Sequence, residues 1–305
     1  MNQLTDTVVM ISPDQFGFNH QTATTNVFQN KVNIEEKELQ KKALQEFTNM
    51  VSLLKSKDIN ILILPSRKDV VTPDAVFPNN WFSSHGKGKI VLYPMLAVNR
   101  RAERQPDALK KVLSQAGINN LKIINMSNQE NQGKILEGTG SLVLDRKNKV
   151  AYAMESPRTT KIMFDLWCKK MDYQPVFFHA YDKNNLPIYH TNVVMSVGDG
   201  FSVACLESIK DPSEKQMLKE RLETDGRKLI PISLKQKYSF CGNILQLKST
   251  KGDRKIILSL TAFEAFLPDQ KNQLEKFGEL VVVDIPTIEK VGGGSARCML
   301  AEIFL

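Results

Sequence analysis

The sequence predicts an α/β protein built as a pseudo-symmetric ring of five modules, in a single domain over residues 1–305. Three observations predict it. A helix-then-strand pattern recurs five times, hairpin units follow at near-equal intervals, and an N-terminal strand is available to complete the last unit. Repeats of this size mark modular folds in which each unit buries its apolar face against its neighbours. The competing reading is an irregular α+β domain with accidental spacing, and the regular intervals weigh against it.

Apolar periodicity places helices over residues 35–57, 102–115, 158–171, 212–226 and 268–277. Asp211 and Ser156 each stand before a proline, and Pro268 is followed by Asp269, which are signals of a helix start. Short β-rich runs follow at 59–64, 121–126, 175–179, 228–232 and 280–285. Hairpins with polar turns then open at Asn80, Gly140, Asn192 and Asn243, at intervals of 60, 52 and 51 residues. A further 53 residues beyond Asn243 is Ala296, inside the glycine-rich stretch 292–298. That fifth unit is half a hairpin. Residues 7–12 supply the missing strand, so the ring closes on the N-terminal strand and leaves no exposed edge.

Composition narrows the class. With 42% apolar and 24% charged residues and no low-complexity tract, disorder and fibrous architectures are excluded. No apolar run is long enough to cross a bilayer, and residues 1–15 lack the pattern of a secretion signal. Four cysteines without CxxC spacing read as reduced thiols, so the expectation is a soluble cytoplasmic protein. A net charge of +8 invites a nucleic-acid partner, but the basic residues are scattered and no aromatic residues interleave with them. Nucleic acid therefore stays a minor alternative, no membrane partner is expected, and a homo-oligomer is left open.

In a pseudo-symmetric ring the hairpin starts converge at one end of the axis. Residues around 79–80, 137–140, 190–192 and 296–298 should therefore meet, which brings Glu137, His190 and Cys298 together. A thiol nucleophile needs a base, and the base needs an orienting group. Gly292 to Gly294 leave room around Cys298. Cys168 and Cys205 fit the commoner role of cysteine as a small buried hydrophobe. Cys241 also opens a hairpin and is the second candidate. His20, His85 and His179 keep structural or surface readings. An ion pair with Glu137 is expected to raise the proton affinity of His190.

Five motifs stand in order on the repeat: Pro73-Asp-Ala-Val-Phe77, Leu136-Glu-Gly138, Ser156-Pro-Arg-Thr159, His190-Thr-Asn192 and Gly292-Gly-Gly-Ser-Ala-Arg-Cys298. Together they resemble the guanidino-group-modifying enzymes, the pentein or five-bladed α/β-propeller superfamily of arginine deiminase, agmatine deiminase, dimethylarginine dimethylaminohydrolase and glycine amidinotransferase. The opening Phe16-Gly-Phe-Asn19 with Gln21-Thr-Ala23 and Asn26-Val-Phe28-Gln29, and the stretch 73–82, are most similar to the citrulline-hydrolase branch. The resemblance implies Cys298 as nucleophile, His190 as general acid/base and Glu137 as its partner. It also implies that Asp74 holds the substrate's nitrogen end, while Arg158 and Arg101 (or Arg100) hold its carboxylate. No metal or organic cofactor is implied.

The departures from the superfamily pattern point to the substrate. Arginine deiminases and amidinotransferases carry His-x-Asp where this chain has Asn192, and dimethylaminohydrolases carry Phe-x-Glu-Asp where Phe77 is followed by Pro78, Asn79 and Asn80. Asparagine offers a donor and an acceptor to an uncharged ureido group without burying an unpaired charge. The expected activity is hydrolysis of L-citrulline to L-ornithine, carbon dioxide and ammonia. The alternatives are an arginine deiminase or dimethylarginine hydrolase, with Asp74 and Glu137 sufficing for a guanidinium, and a non-catalytic amino-acid-binding propeller.

Overall fold

The computed structural model describes residues 2–304 and is a mixed α/β fold containing five three-stranded sheets. Four sheets follow one plan. A hairpin pairs antiparallel, the chain crosses over through a helix, and the next strand joins parallel to the hairpin's second strand. These sheets combine Phe82–His85, Lys89–Leu92 and Lys122–Asn125; Val143–Asp145, Val150–Met154 and Gln174–Phe178; Met195–Val197, Phe201–Ala204 and Lys228–Pro231; and Leu245–Lys248, Arg254–Ser259 and Glu279–Val283. The fifth sheet repeats the plan from both ends of the chain. Ala301–Glu302 lies antiparallel to Thr7–Ile11, with Val8 opposite Glu302, and Asn60–Leu64 joins parallel on the other side. The N-terminal strand thus completes the last unit, as the sequence predicts.

Parallel neighbours require a long connection, and each is provided by a helix. The helices are Glu36–Ser56, Pro106–Gln115, Lys161–Met171, Pro212–Leu222 and Pro268–Glu275. The first of them buries Leu39, Ala43, Phe47, Met50, Val51 and Leu54 along one face. Lys161–Met171 buries Met163, Phe164, Trp167, Cys168 and Met171 in one cluster with Ala151 and Ala153 of the strand beneath. Small residues on that strand make room for the large helix side chains, each of which contributes roughly 1.5–3 kcal/mol by burial.

Several helix boundaries differ from the sequence reading. The segment expected to begin at 102 starts at Pro106, because Val98–Arg101 is a separate helical turn. The segment expected to begin at 158 starts at Lys161, because Ser156 and Thr159 close a turn that holds Arg158 outside the helix. The segment expected over 212–226 stops at Leu222, and Asp225 just beyond it has φ 60. Among the described residues, no helix is long and apolar enough to cross a membrane.

Candidate active site

Short helical turns precede four of the five first hairpin strands: Pro78–Asn80, Gly138–Ser141, Thr191–Val193 and Ala296–Met299. The turn Gly138–Ser141 packs against both Pro78–Asn80 and Thr191–Val193, and Pro78–Asn80 packs against Ala296–Met299. The convergence expected from the repeat is therefore present. It brings Cys298, His190, Asn80, Asp74, Arg100 and Arg158 to one narrow cavity, with Glu137 directly behind His190. The cavity volume is only about 10 Å³, far below that of an amino acid. One wall is the segment held by Asn26, whose Nδ2 donates to the Gly293 carbonyl at 3.2 Å.

The thiol of Cys298 faces two side-chain amides. Asn192 Nδ2 lies 3.5 Å and Asn243 Nδ2 3.3 Å from Sγ, so two donors are aimed at sulfur. The other thiols sit in apolar surroundings. Burial pushes Cys168 and Cys241 up to about 12, and Cys241 Sγ points to the Ala262 carbonyl in the core. Burial also raises Cys205. The second sequence candidate, Cys241, is thereby removed from the site. The repeat phase marked Asn243 as a hairpin start, but its amide role beside the thiol was not read from it.

His190 Nε2 and Glu137 Oε2 are 2.9 Å apart, and Glu137 Oε1 accepts from the Leu96 backbone N–H at 3.0 Å. Burial works to raise the Glu137 carboxyl, but the Arg158 guanidinium and the His190 hydrogen bond outweigh it and hold it at about 2. His190 goes the other way from the sequence expectation. Burial lowers it to about 4, and the pull of Glu137 does not overcome burial assisted by Arg158 and Arg100. The resting pair is therefore an anionic carboxylate and a neutral imidazole. The hydrogen-bond network assigns the imidazole proton to Nε2, which donates to Glu137, and leaves the lone pair on Nδ1.

This pair makes the fold pH-sensitive in a defined direction. Between pH 6.5 and about 4 the unfolded chain binds a proton at His190 that the folded chain refuses, so stability falls as pH drops through that window. Glu137 contributes stability above pH 4.5 that is lost as pH falls toward about 2. At about 1.4 kcal/mol per pH unit, the His190 contribution is on the order of a few kcal/mol. Urea unfolding of wild type and His190→Asn at pH 7 and pH 4.5 checks this, and the variant's stability should change less between the two.

Gly140 keeps the imidazole in place. A Cβ there would lie 2.8 Å from His190 Nδ1 and 2.3 Å from Asn80 Nδ2, too close for either to stay. Gly140→Ala is expected to cost about 100-fold or more in turnover through displacement of both groups. Steady-state kinetics with a circular-dichroism control for folding reads the effect.

The remaining predicted residues divide sharply. Asp74 is buried, with Oδ2 accepting from Asn19 Nδ2 at 2.7 Å and Thr22 Oγ1 at 3.0 Å, while Oδ1 has no partner. Asn80 Oδ1 accepts from Arg100 Nη1 at 2.7 Å, and Asn80 Nδ2 is left unpaired. Asn192 Oδ1 is likewise unpaired. Arg158 lines the cavity, with Nη1 3.6 Å from Glu137 and its other donors on Thr22 and Thr25.

Two of the predicted residues, Arg101 and Asn79, lie outside the cavity lining. Arg101 does not reach the cavity. Its Nε donates to the Met95 carbonyl at 2.9 Å and lies 3.6 Å from Glu130. Successive residues on a helical turn point about 100° apart, so only one of Arg100 and Arg101 faces inward. Arg100 is that one, but Glu103 engages it through two contacts of 2.9 Å, and Asn80 and the Phe77 carbonyl take further donors. Its donors are thus taken up by groups of the wall. Asn79 lies behind the wall, its carbonyl against Gly138 and Thr139. The sequence reading also left Tyr189 without a role, although its hydroxyl donates to the Gly293 carbonyl at 2.7 Å and its ring lies under Arg158. Among the described residues, no group of three or more His, Cys, Asp and Glu side chains is placed to hold a metal ion.

A family profile described as N,N dimethylarginine dimethylhydrolase, eukaryotic, matches residues 12–305. The chain belongs to this family. Membership places it in the guanidino-modifying pentein superfamily that its five motifs resemble, and solved structures agree with that fold. The N-terminal domain of ArgZ, an arginine dihydrolase from cyanobacteria solved with its substrate, is 17% identical with a TM-score of 0.75, covering 98% of this chain and 99% of that one. Unliganded AgrE is 18% identical with a TM-score of 0.74 over 96% of this chain, which spans 38% of AgrE. DDAH from Pseudomonas aeruginosa, in complex with citrulline, is 14% identical with a TM-score of 0.63, covering 98% and 99%. No curated protein matches the chain. At these identities the structures speak for the dimethylhydrolase-family fold.

Proposed function

We propose that this family member hydrolyses the terminal C–N bond of a neutral ureido amino acid, L-citrulline, to L-ornithine, carbon dioxide and ammonia. The orientation of the Asn80 amide carries the reading. A guanidinium only donates, so Arg100 Nη1 at 2.7 Å obliges Asn80 to accept through Oδ1 and to leave Nδ2 as a donor. That donor lies beside the imidazole of His190. A ureido oxygen needs such a donor, whereas a substrate guanidinium has five N–H groups and no acceptor. Asn192 Oδ1 and Asp74 Oδ1, both unpaired acceptors, suit the ureido nitrogens. Burial raises the proton affinity of Asp74 against the pull of Arg100, which weakens it as a counter-ion for a cation.

The chemistry follows from the neutral histidine. His190 Nδ1 takes the Cys298 proton as sulfur attacks the ureido carbon, and delivers it to the departing ammonia. Asn192 and Asn243 donate to sulfur whenever it carries charge. Water then gives a proton to Nδ1 and attacks the S-carbamoyl adduct. The thiolate leaves, recovers that proton, and the N-carboxyornithine released loses carbon dioxide. General acid–base help of this kind is worth about 10²–10⁴-fold, and Glu137 keeps the imidazole in the tautomer that provides it.

One observation favours a guanidino substrate instead, arginine or a methylated arginine. Three buried carboxyl groups (Asp74, Glu103, Glu137) face two buried guanidiniums (Arg100, Arg158), a balance that accepts a cation. The family's description points the same way. Acid quenching during citrulline turnover, followed by peptide mass spectrometry, tests the proposal. The Cys298 peptide should gain the mass of citrulline less ammonia, and an unmodified Cys298 throughout turnover would overturn it.

We also infer that the five sheets close as a five-bladed propeller ring within one domain. The shared strand order and the pairing of Thr7–Ile11 with Ala301–Glu302 support this.

A further inference from the structure

A second enclosed polar space lies between the first strands of the hairpins, away from the thiol and toward the hairpin turns. Its wall includes Arg146, Arg297, Glu302 and Ser196, and the side chain of Gln3 lies against it. Gln3 bridges two sheets there, with Nε2 donating to the Leu144 and Val197 carbonyls at 3.0 and 3.2 Å and Oε1 accepting from the Arg146 N–H at 2.7 Å.

The charges inside do not balance. Glu302 is shared by two guanidiniums, at 3.7 Å from Arg146 Nε and 3.4 Å from Arg297 Nη2. Both contacts are long for a charge-assisted pair, and the cluster carries one positive charge in surplus. Burial works against the Arg297 guanidinium, and Glu302 offsets only part of that cost. Arg146 satisfies itself elsewhere, donating to the Ser84 carbonyl at 3.2 Å and stacking 4.0 Å over Phe304. Arg297 does not. Its Nη1 has no partner, and neither has the Ser196 hydroxyl, and both residues are only 5% exposed. A buried donor left unpaired is costly, so two of them at a cluster with surplus positive charge mark a place that a negative guest would satisfy.

The guest's size is set by the space. The cavity volume is about 20 Å³, on the scale of a single water or halide and far below that of an amino acid. Access lies on the same side. A wider surface hollow of about 520 Å³ also borders Gln3, and it carries Lys147 and Lys248. Neither lysine makes an ion pair among the described residues, so the approach is cationic.

We propose that this cavity is a halide-sized monoanion site, the guest accepting from Arg297 Nη1 and Ser196 Oγ directly behind the nucleophile's own turn. The site is separate from the substrate cavity and does not depend on which substrate the enzyme takes.

Bromide is the probe. Crystals soaked in sodium bromide should show an anomalous peak between Arg297 and Ser196, which an ordered water at the same position would contradict. In solution at constant ionic strength, replacing gluconate by bromide should raise the melting temperature along a saturating curve in wild type. Ser196→Ala should shift that curve to higher bromide concentration, and Glu302→Gln, which removes the competing carboxylate, should shift it at least about tenfold lower. A wild-type curve without saturation, or one unaffected by both variants, would overturn the proposal even if citrulline turnover were normal.

Discussion

Cys298→Ala is expected to lower citrulline turnover by about 10⁴-fold or more while the protein still folds and binds citrulline. Removing a covalent nucleophile eliminates the route itself, and losses of this size are usual when one member of a catalytic unit is deleted. The stability cost is small because the change removes one sulfur atom from the edge of an existing cavity. Cys298→Ser should be nearly as inactive, since a hydroxyl in the same position is a far weaker nucleophile. Cys241→Ala supplies the control, with Sγ directed at the Ala262 carbonyl 3.5 Å away rather than at the site. It should keep its turnover and lose some stability from the core. Single-turnover ornithine release, with calorimetric citrulline binding for each variant, separates these outcomes. Near-normal release by Cys298→Ala, or loss confined to Cys241→Ala, would remove the covalent route.

Asn80→Asp should reverse the substrate preference. The new carboxylate accepts from Arg100 as the amide did, but presents an acceptor where Nδ2 now presents a donor. Losing one preorganised donor to a developing oxyanion costs about 10²–10³-fold, so citrulline kcat/KM should fall by that factor while arginine turnover rises. A second effect has a definite sign. An added anion near His190 favours its protonated form, so the imidazole rises from its value of about 4. The acid limb of the kcat/KM profile therefore moves to higher pH in the variant. Parallel pH profiles on citrulline and arginine read both effects. An Asn80→Asp enzyme that keeps its citrulline preference would mean that the amide does not face the ureido oxygen.

The fold was legible because the repeat lies in local patterns. Turn residues, hairpin alternation and amphipathic stripes are set over ten to twenty positions, and the half-hairpin at 292–298 told where the N-terminal strand belongs. Cys298, His190 and Glu137 could be brought together for the same reason, since hairpin starts on one phase meet at one end. What was not legible depends on side-chain direction. Nothing local to Arg100-Arg101 says which faces inward, because that follows from the rotation of a four-residue helix, Val98–Arg101, against the Pro78–Asn80 turn. Asn79 and Asn80 pose the same problem, and only the contact with Arg100 singles out Asn80. The sign of the His190 shift was also out of reach. It is a contest between burial and Glu137, and burial is a property of the packed whole.

The central claim, that the site is built for a neutral ureido group, is tested most directly by kcat/KM on citrulline, arginine and dimethylarginine offered in parallel to the purified protein. Ornithine and ammonia from citrulline, with the two cations turned over at least about 100-fold less efficiently, is the expected result. Citrulline accumulating from arginine or dimethylarginine, with none consumed, would contradict it and assign the unpaired oxygen of Asp74 to a guanidinium.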